Sequence, residues 1–137
     1  MKYESITGKI LKAAFKVHRT LGFGFLEKVY QNAMIIELKK QGLSVAFEKP
    51  IMVYYDGNIV GDYVADLIVE DKVIIELKAS EELNKKHEVQ LVNYLTATGM
   101  EVGLLLNFNK ESLQYKPKVR TLDKNPVNPV KNNKLEE

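Results

Sequence analysis

The chain predicts a single α/β domain in which a mixed central sheet is flanked by helices, with the core order αβββαβ. Three observations carry that prediction. Residues 4–42 keep a helical apolar period that glycines interrupt once. Residues 45–77 hold three apolar runs joined by the short polar stretches Asp56-Gly57-Asn58 and Glu70-Asp71-Lys72, the pattern of consecutive hairpins. A helical segment then separates two nearly continuous apolar runs, Val73 to Leu77 and Val102 to Leu106. Strands that apolar are covered on both faces, and strands joined through a crossover helix pair in parallel.

Residues 4–20 read as the first helix. Ile6, Ile10, Ala13, Ala14, Val17 and Leu21 follow the 3.6-residue period, while Lys9, Lys12, Lys16 and Arg19 populate the other face. That basic face is a solvated surface on the plainer reading and a phosphate contact on the other. His18, near the end, reads as a capping or internally satisfied histidine. Leu21-Gly22-Phe23-Gly24-Phe25 breaks the helix, and a second begins near Leu26 and stops at Gly42 after Lys39-Lys40. Glu27 falls in its first turn, where the helix dipole favours a carboxylate. Tyr30, three residues on, shares its face. Glu27 therefore sits at the margin of the buried stripe, where it needs a partner.

Val45 to Tyr55 is the first strand, with Pro50 marking an edge or a bulge. The turn Asp56-Gly57-Asn58 leads to a second strand starting at Ile59, on which Tyr63, Ala65, Leu67 and Val69 are expected to share one face. A third helix spans 84–98, ended by Gly99, and aligns His87, Gln90, Leu91 and Tyr94 on one side. Tyr115 to Arg120 can add an edge strand. Residues 1–120 make up the domain, and 121–137, without periodicity or core residues, read as a disordered tail.

Composition narrows the chemistry. The 137 residues contain no cysteine and two histidines, which excludes disulfides, thiol catalysis and Cys-based metal centres. A metal here is oxygen-bound, as Mg²⁺, Mn²⁺ or Ca²⁺ is. Residues 1–115 hold 14 Lys and Arg against 15 Asp and Glu, and residues 116–137 hold 6 against 3. The body is thus no broad basic surface of the kind that drives non-specific nucleic-acid binding. With no signal peptide and no stretch of membrane-spanning length, a cytoplasmic protein without membrane partners is the expectation.

The chemistry concentrates in Tyr63 to Ser80, YVADLIVEDKVIIELKAS. Glu76 and Lys78 lie on one face of the third strand. If Glu70-Asp71-Lys72 is the loop, Val69 pairs with Val73 and Asp66 falls opposite Glu76. Two neighbouring carboxylates repel and are costly to bury unpaired, so a positive group belongs beside them. Lys78 is one candidate and a hard divalent cation another. The plainer account is a surface ion pair of Glu76 with Lys78.

Glu27, Asp66, Glu76-Leu77-Lys78 and Gln90-Leu91-Val92-Asn93-Tyr94, in that order on those elements, resemble the restriction-endonuclease-like core of the PD-(D/E)XK nuclease superfamily. The last group resembles the Q-x-x-x-Y motif of its RecB-like and lambda-exonuclease-like branches. Gly24 to Tyr30 is similar to the signature of the small prokaryotic GxxExxY proteins, and the likeness extends over residues 5–120. Ala65 stands where the superfamily name has proline. The resemblance implies a metal-dependent nuclease that hydrolyses phosphodiester bonds of nucleic acid, DNA ahead of RNA. Asp66, Glu76 and the backbone carbonyl of Leu77 would then hold Mg²⁺, with Mn²⁺ as a substitute. Lys78 would position the attacking water or stabilise charge on the phosphate, and Glu27 would complete the shell or hold a second ion. Gln90 and Tyr94 would orient the phosphate, a sugar oxygen or Lys78. Such folds often work as homodimers. The alternative is a non-catalytic partner-binding or regulatory module on the same fold. On the nuclease reading, alanine at Asp66 or Glu76 is expected to abolish cleavage and leave folding intact or improved.

Overall fold

The computed structural model describes residues 2–120. Two helices, α1 (Glu4–Leu21) and α2 (Glu27–Lys40), precede three strands, β1 (Val45–Tyr55), β2 (Asn58–Val69) and β3 (Val73–Lys78). The crossover helix α3 (Lys85–Thr98) then leads to β4 (Val102–Asn107) and β5 (Gln114–Val119). The sheet order is β1-β2-β3-β4-β5, and β3 with β4 is its parallel pair. This is the expected α/β architecture, with one helix added before the core and one edge strand after it. The proposed tail lies outside the described residues.

Local chemistry sets the element boundaries. Gly22, at φ 71°, ends α1, its N–H donating to His18 O at 2.8 Å. Asn84 caps α3 by accepting from His87 N–H, and His87 Nδ1 accepts from the Asn84 N–H in return. Gly99 closes that helix in the left-handed region at φ 77°. The β1–β2 turn places Asp56 and Gly57 at φ 53° and 77°, the two positive values that a tight hairpin turn requires.

Two apolar layers sandwich the sheet. Ile10, Ala14, Tyr30, Met34 and Leu38 of α1 and α2 pack on Val73, Ile75, Leu77, Leu104 and Leu106. Leu91 and Leu95 of α3 pack on Ile68, Ile74 and Leu105 from the other side. Every side chain named in this sandwich is at most 3% exposed, and each full burial of a Val, Leu, Ile or Met among them is worth about 1.5–3 kcal/mol over exposure. Gly103 makes the α3 layer fit, because a Cβ there would come within 2.9 Å of the Leu91 side chain.

One irregularity shapes the molecule. The β1–β2 register runs without slip from Val45↔Val69 to Val53↔Gly61, yet the Glu48–Asp66 pair between Phe47↔Leu67 and Lys49↔Ala65 is broken, with Glu48 at φ 53°. Face parity switches there. Leu67 and Val69 point to the α1/α2 layer, while Ala65 packs in the α3 layer and Tyr63 meets Tyr94 of α3. The single odd-numbered face expected for Tyr63, Ala65, Leu67 and Val69 is thus corrected to two. Beyond the break, β1 and β2 continue as a two-stranded arm, because the β2–β3 ladder covers only Leu67 to Val69.

Candidate functional site

The site lies where β2 and β3 part. The ladder joins Val69 to Val73, Ile68 to Ile74 and Leu67 to Ile75, which is the expected register, and stops one pair short of Asp66 and Glu76. The carboxylates replace the missing ladder bonds. Leu77 N–H donates to Asp66 Oδ2 at 2.8 Å, and Asp66 N–H donates to Glu76 Oε2 at 3.2 Å. The expectation that alanine at either position leaves folding intact therefore needs correcting, since each change would strand a partly buried backbone N–H.

Glu76 is 6% exposed, and its carboxyl is pushed up to about 8, first by burial and then by Asp66. Asp66 is raised as well, chiefly by burial, with the Leu77 N–H opposing. Lys78, on the same face as Glu76, makes no ion pair among the described residues, although its charge favours both carboxylates. The surface Glu76–Lys78 pair of the plainer account does not form. In an extended strand a residue's N–H and C=O point to the same neighbour, so the Leu77 carbonyl faces the same gap as the N–H that Asp66 holds.

A cavity of about 230 Å³, walled by Glu27, Lys28, Gln31, Asp66 and Leu77, opens on this gap from the α2 side. Glu27 begins α2 and is positioned by its neighbour Tyr30. The fully buried Tyr30 hydroxyl donates to Gly22 O at 2.7 Å and accepts from Phe25 N–H at 3.2 Å, while its ring stacks on Phe108 at 4.6 Å. These bonds fix the Gly22–Leu26 link and hence the start of the helix. Among the described residues, no three acidic or imidazole side chains are close enough to share one ion. Glu27 borders the cavity.

On the other side of the sheet, α3 presents Gln90, half-buried, and Tyr94, 6% exposed. The Tyr94 phenol is pushed up to about 12, first by burial and then by Glu76, with Tyr63 and Asp66 adding to it. It therefore remains a hydrogen-bond donor at neutral pH.

Three contributors escaped the sequence reading. Gln31, 5% exposed, donates through Nε2 to the Asp66 carbonyl at 3.0 Å and ties α2 to the site. Its position four residues after Glu27, on the same helix face, was the available signal. Glu48 lies across from Asp66, raises its pKa and is ion-paired to Lys28. Only the β1–β2 register reveals it. Tyr63 joins through the parity switch described above.

A mixed sheet carrying an acidic pair on two antiparallel strands, a lysine two residues beyond one acid and a Gln–Tyr face on the next helix defines a restriction-endonuclease-like nuclease architecture. A sequence profile described as the PD-(D/E)XK nuclease superfamily matches residues 4–121. The chain belongs to that superfamily. Solved structures share the fold. SSO0001 superposes with a TM-score of 0.56 at 20% identity, over 89% of this chain and 62% of its own. The alkaline exonuclease LHK-Exo of Laribacter hongkongensis gives 0.52 at 13% identity, over 88% of this chain and 72% of its own. The chain thus spans less than two thirds of SSO0001. No curated protein sequence matches it at a significant level. No helix among the described residues is long and apolar enough to cross a membrane.

Proposed function

We propose that the protein is a divalent-metal-dependent nuclease that hydrolyses phosphodiester bonds, with DNA ahead of RNA as its substrate, and that it is of the GxxExxY type. The observation that carries this reading is the Asp66–Glu76 pair, sunk between diverging strands without a direct cationic partner. Desolvation raises both carboxyls, and the Asp66 charge raises Glu76 further; a hard cation is the complement such a pair lacks. One oxygen of each carboxylate is occupied by a backbone N–H. The other oxygens and the Leu77 carbonyl would hold Mg²⁺ or Mn²⁺, and Glu27, on the cavity wall, would complete the shell. All the donors are oxygens, which fits Mg²⁺.

When bound there, Mg²⁺ would supply Lewis-acid polarisation of a phosphoryl oxygen and a lowered pKa for water. The chain's own residues supply the rest. The Lys78 ammonium, unpaired beside the carboxylates, neutralises charge growing on the phosphate. Tyr94, held protonated, donates to a phosphate or sugar oxygen, and the Gln90 amide orients the same group. Gln31 keeps the Asp66 backbone in place.

Calorimetric titration of Mg²⁺ and Mn²⁺ into wild type, Asp66→Asn and Glu76→Gln tests the site. Saturable wild-type binding, lost in both variants together with cleavage of linear DNA, is the expected outcome. Wild-type cleavage that survives Glu76→Gln would refute the assignment. Metal-independent binding of a partner that both variants retain would favour the non-catalytic module. Sedimentation at several concentrations reads whether the protein works as a homodimer.

A further inference from the structure

Apart from the acidic gap, a groove of about 740 Å³ lies between α3 and the β1–β2 arm. We propose that this groove seats an unpaired nucleic-acid strand, with Tyr63 as the stacking surface for a base next to the scissile phosphate. The proposal deepens the nuclease reading and rests on it.

Position is the first argument. Tyr94 lines the groove and feels the charges of Glu76 and Asp66, and His87 lines it and feels Lys78. The groove's Tyr94 and His87 wall thus lies within Coulombic reach of the acidic pair and Lys78, and its size lies within the roughly 300–1,000 Å³ of built binding sites. Charge is the second. No Asp or Glu lines it, while Lys85 and Lys86 do, and neither lysine is ion-paired among the described residues. In a body with 14 cationic side chains against 15 acidic ones over residues 1–115, that is a local concentration of positive charge.

Tyr63 is the third. The residue is 44% exposed, and its ring lies 5.6 Å from the Tyr94 ring and covers Gly61. A Cβ at Gly61 would come within 2.9 Å of Tyr63 Cε2 and 3.3 Å of Val53 Cβ, so the ring lies down over bare backbone. A ring held in this way loses little freedom when a base stacks on it.

The same facts favour a single strand over a duplex. Duplex binding draws its affinity from many neutralised phosphates, which a near-neutral body does not offer. Stacking needs one exposed base face and few cations. Paired bases keep their faces inside the duplex.

The test is fluorescence anisotropy with the full chain in EDTA, using a labelled oligothymidylate of roughly 12 nucleotides and a blunt hairpin duplex of similar length. Wild type is expected to bind the single strand more tightly than the duplex. Tyr63→Ala weakens single-strand binding by roughly tenfold or more, and Tyr63→Phe retains it. Lys85→Gln/Lys86→Gln lowers the slope of log affinity against log salt by roughly 1–2. Equal or tighter duplex binding, unchanged affinity in Tyr63→Ala, or equal losses in Tyr63→Phe and Tyr63→Ala would overturn the proposal. Wild-type hydrolysis of bis(p-nitrophenyl) phosphate with Mn²⁺ reads the acidic site separately. Strand binding without that hydrolysis sinks the nuclease reading and leaves the groove, whereas hydrolysis with Tyr63→Ala binding unchanged does the reverse.

Discussion

The Glu76 carboxyl links local environment to the behaviour of the whole protein. It titrates at about 8 in the folded chain against an ordinary 4.5. Between those values the folded state holds a proton that the unfolded chain has released, so rising pH favours unfolding. The ion-free protein is therefore expected to lose stability as pH climbs from 4.5 towards 8, by on the order of a few kcal/mol. Asp66, shifted the same way, adds to the slope. Denaturant titrations across that range should show the decline, and Glu76→Gln should flatten it. Mg²⁺ should also flatten it in wild type, because the ion favours the charged form. At Asp66 the amide isostere separates two roles. Asp66→Asn keeps an oxygen for the Leu77 N–H, whereas Asp66→Ala leaves that donor unpaired and should cost about 1–3 kcal/mol more in chemical denaturation.

Two residues decide how the helices dock. Leu91 of α3 fills the space over Gly103 of β4, where an added methyl would come within 2.9 Å of its Cδ1 and 3.1 Å of its Cγ. Gly103→Ala should therefore destabilise the fold by about 1–3 kcal/mol, read as a lower denaturation midpoint, and shift α3 together with Gln90 and Tyr94. At the other layer, Tyr30 joins the α1–α2 link to the core through its two hydroxyl bonds. Tyr30→Phe should cost about 1–3 kcal/mol, because the Gly22 carbonyl and Phe25 N–H each lose a partner. Since Glu27 starts the helix that this link aims, metal affinity in the same variant should fall with Glu27 itself unchanged.

At the scale of the molecule, a rigid sheet carries a less supported arm. β3 and β4 are buried almost throughout, whereas β1 and β2 beyond the Glu48–Asp66 break expose Tyr55, Ile59, Val60 and Val64. Stability is distributed accordingly, and hydrogen exchange should show the amides of residues 53–64 exchanging well ahead of those in β3 and β4. Nucleic acid in the groove should slow the arm selectively. Uniform protection along all the strands would instead mean that the arm and the sheet open as one unit.

Much of this protein was determined by its sequence alone. The helical periods, the glycine stops and the polar turns fix the elements within a residue or two, and the three-residue loop Glu70-Asp71-Lys72 sets the register that brings Asp66 to Glu76. The helix and strand faces that carry Glu27, Lys78, Gln90 and Tyr94 were legible as candidates in the same way, because side-chain period and chemistry are local properties. Tertiary structure decided the rest. Whether Glu76 finds Lys78 or stays without an ion-pair partner depends on how far β2 and β3 diverge, and the face that Tyr63 shows depends on a break shared with Glu48, distant in the chain. The support that Gln31 gives Asp66 depends on where α2 docks. Each of these follows from packing between elements remote in sequence, which no local period encodes.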